Sequence, residues 1–256
     1  MTITEDRKNK IIIVLCLAGL GQRFLDKGYK TPKFLLLAKD KRTTILELIL
    51  RNFISSGDVD FVLMLNDRHK RWTKNILDII KKLKVNFQIE FIKDTQGQAE
   101  TAFLSIEVIK NNYDVNKLRT IPIAFHNGDT VLLNRNLDLV NKAIKNSFDG
   151  VIDTFNSDSD NFSYISADSE SMVEKIIEKE VISNKATTGF YVFSNIMKYD
   201  FLYNKINKNK KELYISDVYV ESLKLNKRLL NIHYDDPEET IVLGTPNEYE
   251  DWLKND

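Results

Sequence analysis

The amino-acid sequence predicts an α/β protein with a mostly parallel, Rossmann-like sheet flanked by helices. In the first half, short apolar runs rich in β-branched residues alternate with segments whose apolar residues recur at helical spacing. This alternation favours parallel strands joined by helices that cover both faces of the sheet. In the second half several short strands follow one another, which favours a smaller lobe with a mixed sheet.

Apolar runs and helical periodicity define the elements of the first half. The first strand, Ile11 to Leu17, is apolar throughout, as is typical of strands buried on both faces. The helix at 44–55 places Ile45, Leu48 and Ile49 on one face. The next elements are a strand at 61–65, a helix at 71–83, a strand at 87–92, a helix at 99–109 and a strand at 120–125.

The elements of the second half are shorter. Apolar and aromatic runs bounded by turn-forming residues predict strands at 151–155, 162–166, 172–177 and 187–193. Helical periodicity predicts helices at 215–223 and 247–253. Because no Pro/Gly-rich linker divides the chain, residues 1–256 are predicted to form a single domain.

Composition excludes several classes of function. Lysine plus arginine and aspartate plus glutamate number 37 each, so no global field directs the protein toward nucleic acid or an anionic membrane. No apolar run approaches the roughly 20 residues of a membrane helix, and the polar first ten residues predict no secretory signal. The single cysteine, Cys16, excludes an intramolecular disulfide, fits a cytoplasmic protein and is predicted to be a core residue. The oligomeric state stays open.

The segment after the first strand carries the clearest functional signal. Gly19 and Gly21 allow backbone N–H groups to approach an anion closely. Arg23 and Lys33 flank this loop and supply a guanidinium and an ammonium group. Together these features predict a polyphosphate site, although an alternative is that both cations pair with surface acids such as Asp26.

Gly19-Leu-Gly21-Gln-Arg23, followed by Pro32-Lys33, resembles the opening motif of the nucleotidyltransferase superfamily. The Gly-Tyr-Lys-x-Pro-Lys form most resembles the short cytidylyltransferases of capsule clusters, a group that includes phosphoglutamine cytidylyltransferases. The resemblance implies a GT-A-like nucleotidyltransferase fold, with a nucleotide-binding half over about 10–148 and an acceptor-binding half over about 149–256. It also implies transfer of a nucleoside monophosphate from an NTP to a phosphorylated small molecule, with release of pyrophosphate.

The resemblance implies roles for residues of this motif and of a second segment. Arg23 and Lys33 are the expected catalytic cations, on the leaving pyrophosphate and on the α- or acceptor phosphate. Asp94 to Thr101 resembles the family's base-reading segment, in which Gln96 is expected to contact a pyrimidine edge. The expected nucleotide-binding residues are Leu17, Ala18, Gly19, Gly21, Gln22, Gln96, Gly97, Thr101, Asn127 and Gly128.

Asn127-Gly-Asp129 resembles the family's metal-binding loop, so Asp129 is the expected ligand of a Mg²⁺ cofactor. The family usually carries a second aspartate two residues before a Gly-Thr-Pro. Here Gly244-Thr-Pro is present but that position is Val242, which leaves Asp235 or Asp236 as possible substitutes. The neighbouring His126 is predicted to be a core histidine.

The acceptor site is expected in the second half. Glu178-Lys179 resembles the family's Glu-Lys pair, and the strand at 187–193 resembles its Gly-hydrophobic-Tyr strand, which gives Gly189 and Tyr191. The alternative for Glu178 and Lys179 is a solvated charge pair.

CTP is the favoured donor, ahead of UTP and dTTP. The acceptor is a sugar 1-phosphate or a small phosphate such as phosphoglutamine or phosphocholine, for precursors of capsule or surface polysaccharide. Two other functions compete. Asp158-Ser-Asp160 fits the Asp-x-Asp pattern of a GT-A glycosyltransferase that uses a nucleotide-sugar, and Val242 is compatible with a non-catalytic nucleotide-binding subunit.

Overall fold

The central sheet is mainly parallel and crosses both halves of the chain. The computed structural model describes residues 10–255. The strands are β1 (Ile11–Leu17), β2 (Val59–Asn66), β3 (Phe87–Ile92), β4 (Ile123–His126), β5 (Thr130–Leu132), β6 (Gly150–Asn156), β7 (Ser163–Ala167), β8 (Val173–Glu178), β9 (Lys185–Phe193), β10 (Leu229–Tyr234) and β11 (Thr240–Val242). Seven of them lie in the order β10-β6-β9-β4-β1-β2-β3. Only β9 in this order is antiparallel to its neighbours, β4 and β6.

Helices cover the sheet and connect its strands. They are α1 (Gln22–Asp26), α2 (Ile45–Ser56), α3 (Thr73–Leu83), α4 (Gln98–Asn112), α5 (Val115–Leu118), α6 (Leu137–Lys145), α7 (Ile196–Tyr203), α8 (Ile215–Lys224) and α9 (Pro246–Lys254). Short 3-10 turns occupy Lys33–Leu35, Asp67–Trp72 and Pro237–Glu239. Within residues 10–255 no helix combines the length and the hydropathy that crossing a membrane requires.

Two smaller antiparallel units complete the fold. The hairpin of β7 and β8 joins the main sheet through the pairing of Tyr164 with Ala186 on β9. A separate two-stranded sheet pairs β5 with β11, with Val131 opposite Ile241. The mainly parallel sheet and the smaller mixed-sheet region that the sequence predicts are therefore confirmed.

The first strand shows why the sheet needs cover on both faces. All residues of β1 are buried. Ile11, Ile13 and Leu15 pack into the cluster that contains residues of α2 and α3. Ile12 and Val14 pack into the opposite cluster, which contains residues of α4, α7 and α8. Because side chains alternate along a strand, one apolar run supplies both cores.

Sequence periodicity did not predict several elements. α6, α7 and β10 are absent from the sequence-based list, as are the three-residue strands β5 and β11 and the short helices α1 and α5. β10 is an edge strand whose buried residues, Leu229 and Asn231, alternate with half-buried ones, so it lacks a continuous apolar run. β4 begins at Ile123 rather than Thr120, because the N–H of Thr120 closes a turn on the carbonyl of Lys117.

His126, at the end of β4, is a core histidine as predicted. Its side chain is fully buried, and its Nδ1 accepts a hydrogen bond from the N–H of Gly128 over 2.9 Å. The ring packs edge-on against Phe53 at a centroid distance of 5.3 Å. Burial lowers the pKa of His126 to about 4, so the imidazole is neutral at pH 7.

The lowered pKa of His126 predicts a pH-dependent free energy of unfolding. An unfolded histidine has a pKa of about 6.5, so the unfolded state binds more protons between about pH 6.5 and pH 4. The contribution of His126 is thus complete above pH 6.5 and is lost as the pH falls toward 4. From pH 7 to pH 5 we expect a loss on the order of 2 kcal/mol from this group, measured by urea unfolding.

The variant His126→Asn keeps an acceptor for the Gly128 N–H but does not titrate. It should be less stable at pH 7 and show a flatter dependence of unfolding free energy on pH. An unchanged pH dependence in the variant would contradict the assignment. His69 and His233, whose pKa values burial also lowers, remain in both proteins and supply the common background.

Candidate active site

A cavity of about 550 Å³ opens at the carboxyl edge of the parallel strands. The loops after β1, β3 and β4 meet there with β9 and the end of β8. The cavity contains most of the predicted site residues: Ala18, Gly19, Arg23, Lys33, Gly97, Thr101, Asn127, Asp129, Glu178, Lys179 and Tyr191 all line it. The structure therefore brings segments from both halves of the chain into one site.

The loop between β1 and α1 presents the predicted glycines and one cation. Gly21 has φ 63°, and its carbonyl accepts the N–H groups of Phe24 and Leu25, so this left-handed residue starts α1. Arg23, in that first turn, is exposed and lines the cavity. Asp26 instead accepts a hydrogen bond from the Gln22 amide at 2.6 Å. The alternative pairing of Arg23 with Asp26 is thus not what the structure shows.

Lys33 and Asp129, which both line the cavity, form a direct ion pair. The Nζ of Lys33 lies 2.6 Å from the Oδ2 of Asp129, and both side chains are about one-fifth exposed. Lys33 begins the 3-10 turn that follows Pro32, whereas Asp129 leaves the sheet after β4. The backbone carbonyl of Asp129 accepts the N–H of Leu243 at 2.8 Å, which fixes the loop. A cation and a carboxylate are therefore preset side by side.

The predicted base-reading segment is placed at the cavity, but its first glutamine is turned away. The amide of Gln96 donates to the carbonyl of Lys208 at 3.0 Å and to that of Lys210. Gln98 lines the cavity instead, and its amide donates to the Oδ1 of Asn127. The segment lies at the cavity as predicted, but the inward-facing glutamine is Gln98, which no sequence pattern indicated, because which glutamine faces inward depends on how the chain enters α4.

Two of the predicted glycines have positive φ and lie where a Cβ would contact a neighbouring residue. A Cβ on Gly97, which has φ 144°, would stand 2.5 Å from the carbonyl oxygen of Leu213. A Cβ on Gly189, which has φ 83°, would stand 2.3 Å from the Nδ2 of Asn127. The close approach at Gly189 is therefore to a neighbouring side chain of the site. The family resemblance predicts instead that Gly189 admits the acceptor to the backbone.

Of the remaining predicted nucleotide-site residues, Leu17, Gln22 and Gly128 lie beside the cavity and Thr101 lines it. Leu17 is buried below the glycine loop, and a Cβ on Gly128, which has φ 73°, would stand 2.1 Å from Leu17 Cδ2. Gln22 points to Asp26. Thr101 is buried and its Oγ1 lies 2.8 Å from that of Thr95.

The expected acceptor-site residues Glu178 and Lys179 form hydrogen bonds with residues at the start of α8. The Glu178 carboxylate accepts hydrogen bonds from the hydroxyls of Ser163 and of Ser216, the latter at 2.8 Å. The Lys179 ammonium donates to the Tyr214 hydroxyl at 2.6 Å and lies 4.7 Å from the centre of its ring. Glu178 and Lys179 therefore each have other partners instead of pairing with one another, and Lys179 is exposed.

Tyr191 is buried beside this group. Its hydroxyl lies 2.8 Å from the Oγ1 of Thr187, and burial together with the nearby Glu178 raises its pKa to about 12. Tyr214 and Glu212 also line the cavity, and neither is among the site residues predicted from the sequence. Cys16 lines it too, but burial raises the pKa of its thiol, so it stays protonated and is not a nucleophile.

The residues around Asp129 fit a hard cation that takes few protein ligands. Among residues 10–255 no group of three or more His, Cys, Asp or Glu side chains could enclose a metal. Val242 lies opposite Thr130 in the pairing of β11 with β5, beside Asp129. Asp235 and Asp236 do not line the cavity: Asp235 accepts from Asn156 and Asp236 caps the 237–239 turn. Asp129 with phosphate oxygens and water suits Mg²⁺.

Comparison with known proteins defines the family and the class of this enzyme. Residues 12–240 match the nucleotidyl transferase family, so the chain belongs to that family and is an enzyme of the nucleotidyltransferase class. The superfamily that the glycine-loop motif predicts is thus confirmed. No curated protein matches the sequence significantly.

Solved structures share the fold over nearly the whole chain. A nucleoside-diphosphate-sugar pyrophosphorylase from Vibrio cholerae RC9 is 26% identical, with a TM-score of 0.82 over 95% of this chain and 100% of its own. A UDP-glucose pyrophosphorylase complexed with UDP-glucose is 17% identical, with a TM-score of 0.73 over 96% and 97%. An inositol-1-phosphate CTP transferase from T. maritima is 14% identical, with a TM-score of 0.69 over 96% and 95%.

The Lys33–Asp129 pair predicts that metal binding to the nucleotide-free protein is weak. The ammonium neutralises the carboxylate, so Lys33→Met should increase the affinity for Mn²⁺ by about fivefold, the effect expected of a partly exposed ion pair. Electron paramagnetic resonance of free Mn²⁺ measures this affinity without turnover. Lys30→Met, which removes a nearby exposed lysine outside the cavity, is the control. Equal affinities in all three proteins would contradict the prediction.

The placement of the two glutamines predicts different effects of their removal. Gln98→Ala should weaken NTP binding by roughly 1–3 kcal/mol, because it removes an amide that faces the cavity and leaves the half-buried, cavity-lining Asn127 side chain without its partner. Gln96→Ala should leave NTP binding nearly unchanged and increase proteolysis at Lys208 and Lys210, whose carbonyls it holds. Isothermal titration and limited trypsin digestion of both variants measure this. A larger loss of NTP affinity in Gln96→Ala would restore the original assignment of Gln96.

Proposed function

We propose that this enzyme transfers CMP from CTP to a phosphorylated small molecule and releases pyrophosphate. The observation that carries the proposal is one cavity in which Arg23, Lys33 and Asp129 lie beside a glycine loop on one side and Glu178 and Lys179 on the other. Such a cavity has a cationic place for a triphosphate and a separate polar place for an acceptor. CTP is preferred because the Gly-Tyr-Lys-x-Pro-Lys form resembles the capsule-cluster cytidylyltransferases.

The chemistry requires charge neutralisation and positioning. A phosphate monoester is largely ionised at pH 7, so its oxygen attacks the α-phosphorus of the NTP without a general base. The bond between the α-phosphorus and its bridging oxygen breaks, and pyrophosphate leaves. The obstacle is repulsion between two polyanions, which fixed positive charge reduces most in the transition state. The protonated Cys16 and the neutral, buried His126 have no part in this step.

Arg23 and Lys33 have different tasks in this scheme. The exposed guanidinium of Arg23 presents several donors to the non-bridging oxygens of the departing pyrophosphate. Lys33 leaves Asp129 as the α-phosphate arrives and moves its charge onto that phosphate. Asp129 is then free as a carboxylate ligand, and Mg²⁺ bound there would neutralise further phosphate charge.

The acceptor groups belong to the second half of the chain. Lys179, held over the Tyr214 ring, is the group for the acceptor phosphate. Glu178 and Glu212 present carboxylate oxygens that suit hydroxyl or amino groups on the rest of the acceptor. A sugar 1-phosphate or a small phosphate such as phosphoglutamine fits this set, in the synthesis of capsule or surface polysaccharide precursors.

The glycosyltransferase alternative receives no support from the site. Asp158 and Asp160 do not line the cavity, although the adjacent Asn161 and Phe162 do. The Ser159 between them takes part in a local turn, in which its hydroxyl accepts from the N–H and the amide of Asn161. The Asp-x-Asp pattern therefore arises from loop chemistry.

A substrate screen tests the proposal. CTP, UTP, dTTP and GTP are each combined with glucose 1-phosphate, phosphoglutamine or phosphocholine, and pyrophosphate release is measured in Mg²⁺. We expect CTP to give the highest kcat/KM with one of these acceptors. The structures that share the fold include a UDP-glucose and a CTP enzyme, so a preference for a purine nucleotide, or turnover only with a nucleotide-sugar, would contradict the proposal.

The control in this screen is Asp129→Asn. It removes the carboxylate charge and keeps the size of the side chain, so the fold should be retained. Losing one preorganised electrostatic contact lowers the rate by on the order of 10²–10³-fold. A variant with more than about a tenth of wild-type activity would place the metal ligand elsewhere.

A further inference from the structure

A second cavity, of about 340 Å³, lies at the edge of the sheet opposite the active site. Asp149, which directly precedes β6, and Asn195, which follows β9, both line it. Its walls come from α7, from the end of α8 and from Arg119 after α5. The volume is within the range of small-molecule sites in proteins.

More positive than negative side chains line this cavity. The ammonium of Lys198 is paired with the carboxylate of Asp149. Arg119 and Lys227 also line the cavity, and Lys227 lies close enough to Asp149 to interact with its charge. Three cations therefore face one carboxylate, which leaves excess positive charge for an anion, and the guanidinium of Arg119 suits phosphate oxygens.

Beside the cations there is an apolar surface with an unsatisfied hydroxyl. The Phe201 residue is 56% exposed, with the Lys205 ammonium 4.6 Å from the centre of its ring, and Leu202 of the same helix also lines the cavity. Ser222 on α8 lines it too, with only 1% exposure, yet its Oγ has no hydrogen-bond partner. Buried hydroxyls are normally paired, so this group is consistent with a partner that arrives with a ligand.

We infer that this cavity is a second binding site, for a nucleotide-sized anion with a planar ring, and that its occupancy alters the acceptor side of the active site. A phosphate group would contact Arg119 and Lys227, and the ring would stack on Phe201. Ligand binding at this second site does not depend on the proposed function. The effect of that ligand on turnover does rest on the proposed function.

Helix α8 connects the two cavities. Its last turns carry Ser222 at the second cavity, whereas Ser216 in its first turn donates to Glu178 in the active site. Tyr214, directly before α8, accepts from Lys179. A helix of ten residues spans about 15 Å and moves nearly as one body. A ligand between α7 and α8 therefore shifts Ser216 and Tyr214 relative to the Glu-Lys pair.

The middle of α8 is anchored to the sheet, so that a displacement of one end of the helix becomes a rotation of the whole helix. The hydroxyl of the fully buried Tyr219 lies 2.7 Å from the carbonyl of Val192 and 3.1 Å from that of Val151. These contacts anchor the centre of α8 to β9 and β6. A displacement at the Ser222 end is thus passed to the Ser216 end around a fixed point.

Isothermal titration with CMP tests the second site with crossed variants. We expect wild-type protein to bind two equivalents, one of them lost in Lys33→Glu, which reverses the charge proposed for the α-phosphate, and the other in the double variant Arg119→Glu/Lys227→Glu. Lys224→Glu, which alters an exposed α8 lysine outside the cavity, should still bind two. Phe201→Ala should weaken the second site at least tenfold, and inorganic phosphate should bind there at least tenfold more weakly than CMP.

The outcomes separate this inference from the proposed function. One equivalent that is lost only in Arg119→Glu/Lys227→Glu supports the second site, and the substrate screen decides the CTP preference separately. One equivalent that is lost only in Lys33→Glu overturns the second site. Equal affinity for CMP and inorganic phosphate, or an unaltered second site in Phe201→Ala, overturns the ring-bearing ligand.

A kinetic measurement tests the coupling. With saturating CTP, added CMP should change the KM for the acceptor in wild-type protein and leave it unchanged in Phe201→Ala, whose basal kcat should be normal. Circular dichroism of each variant shows whether it is folded. A CMP effect on acceptor KM that persists in Phe201→Ala would overturn the coupling through α8.

Discussion

The pairing of β1 with β4 is the constraint on which the site depends. The two strands run parallel with Leu15 opposite His126, so the chain leaves both strands at the same edge of the sheet. The loop that carries Arg23 and the loop that carries Asp129 therefore start side by side. Antiparallel β9 on the other side of β4 then brings Gly189 against Asn127, where only a glycine leaves room for the amide. Burial of β1 on both faces fixes this arrangement.

Burial distinguishes an ion pair that only stabilises the fold from an ion pair that can take part in ligand binding. Two ion pairs of this structure show the difference. Arg135 and Asp153 are 2% and 6% exposed, and the guanidinium also donates to the carbonyls of Leu133 and Glu239 and to Thr240. All its polar groups are satisfied inside the protein, so the pair joins β5, β6 and β11 and offers nothing to a ligand. Lys33 and Asp129 are about one-fifth exposed and face the cavity. Their charges can be redistributed when a polyanion enters.

Much of the fold followed from the sequence because its signals are local. The apolar runs at β1 and β2 and the helical periodicity of α2 predicted elements within a few residues of those found. β10 and β11 gave weaker signals, since a half-buried edge strand and a three-residue strand contain few apolar residues. The glycine loop and Asn127-Gly-Asp129 were found because their chemistry lies within short segments. Tyr214 and Ser216 were missed as partners of the Glu-Lys pair because they meet it only through α8 packing on β8.

The sequence by itself determined the fold class, the nucleotidyltransferase family and the segments that form the cavity, because hydrophobic periodicity and short motifs depend on neighbouring residues. Tertiary structure decided the directions of individual side chains. It turned Gln96 toward the carbonyls of Lys208 and Lys210 and left Gln98 facing the cavity. It also paired Lys33 with Asp129, at positions far apart in the chain. Such contacts depend on which strands are adjacent and on what each side chain meets, and no local pattern encodes them.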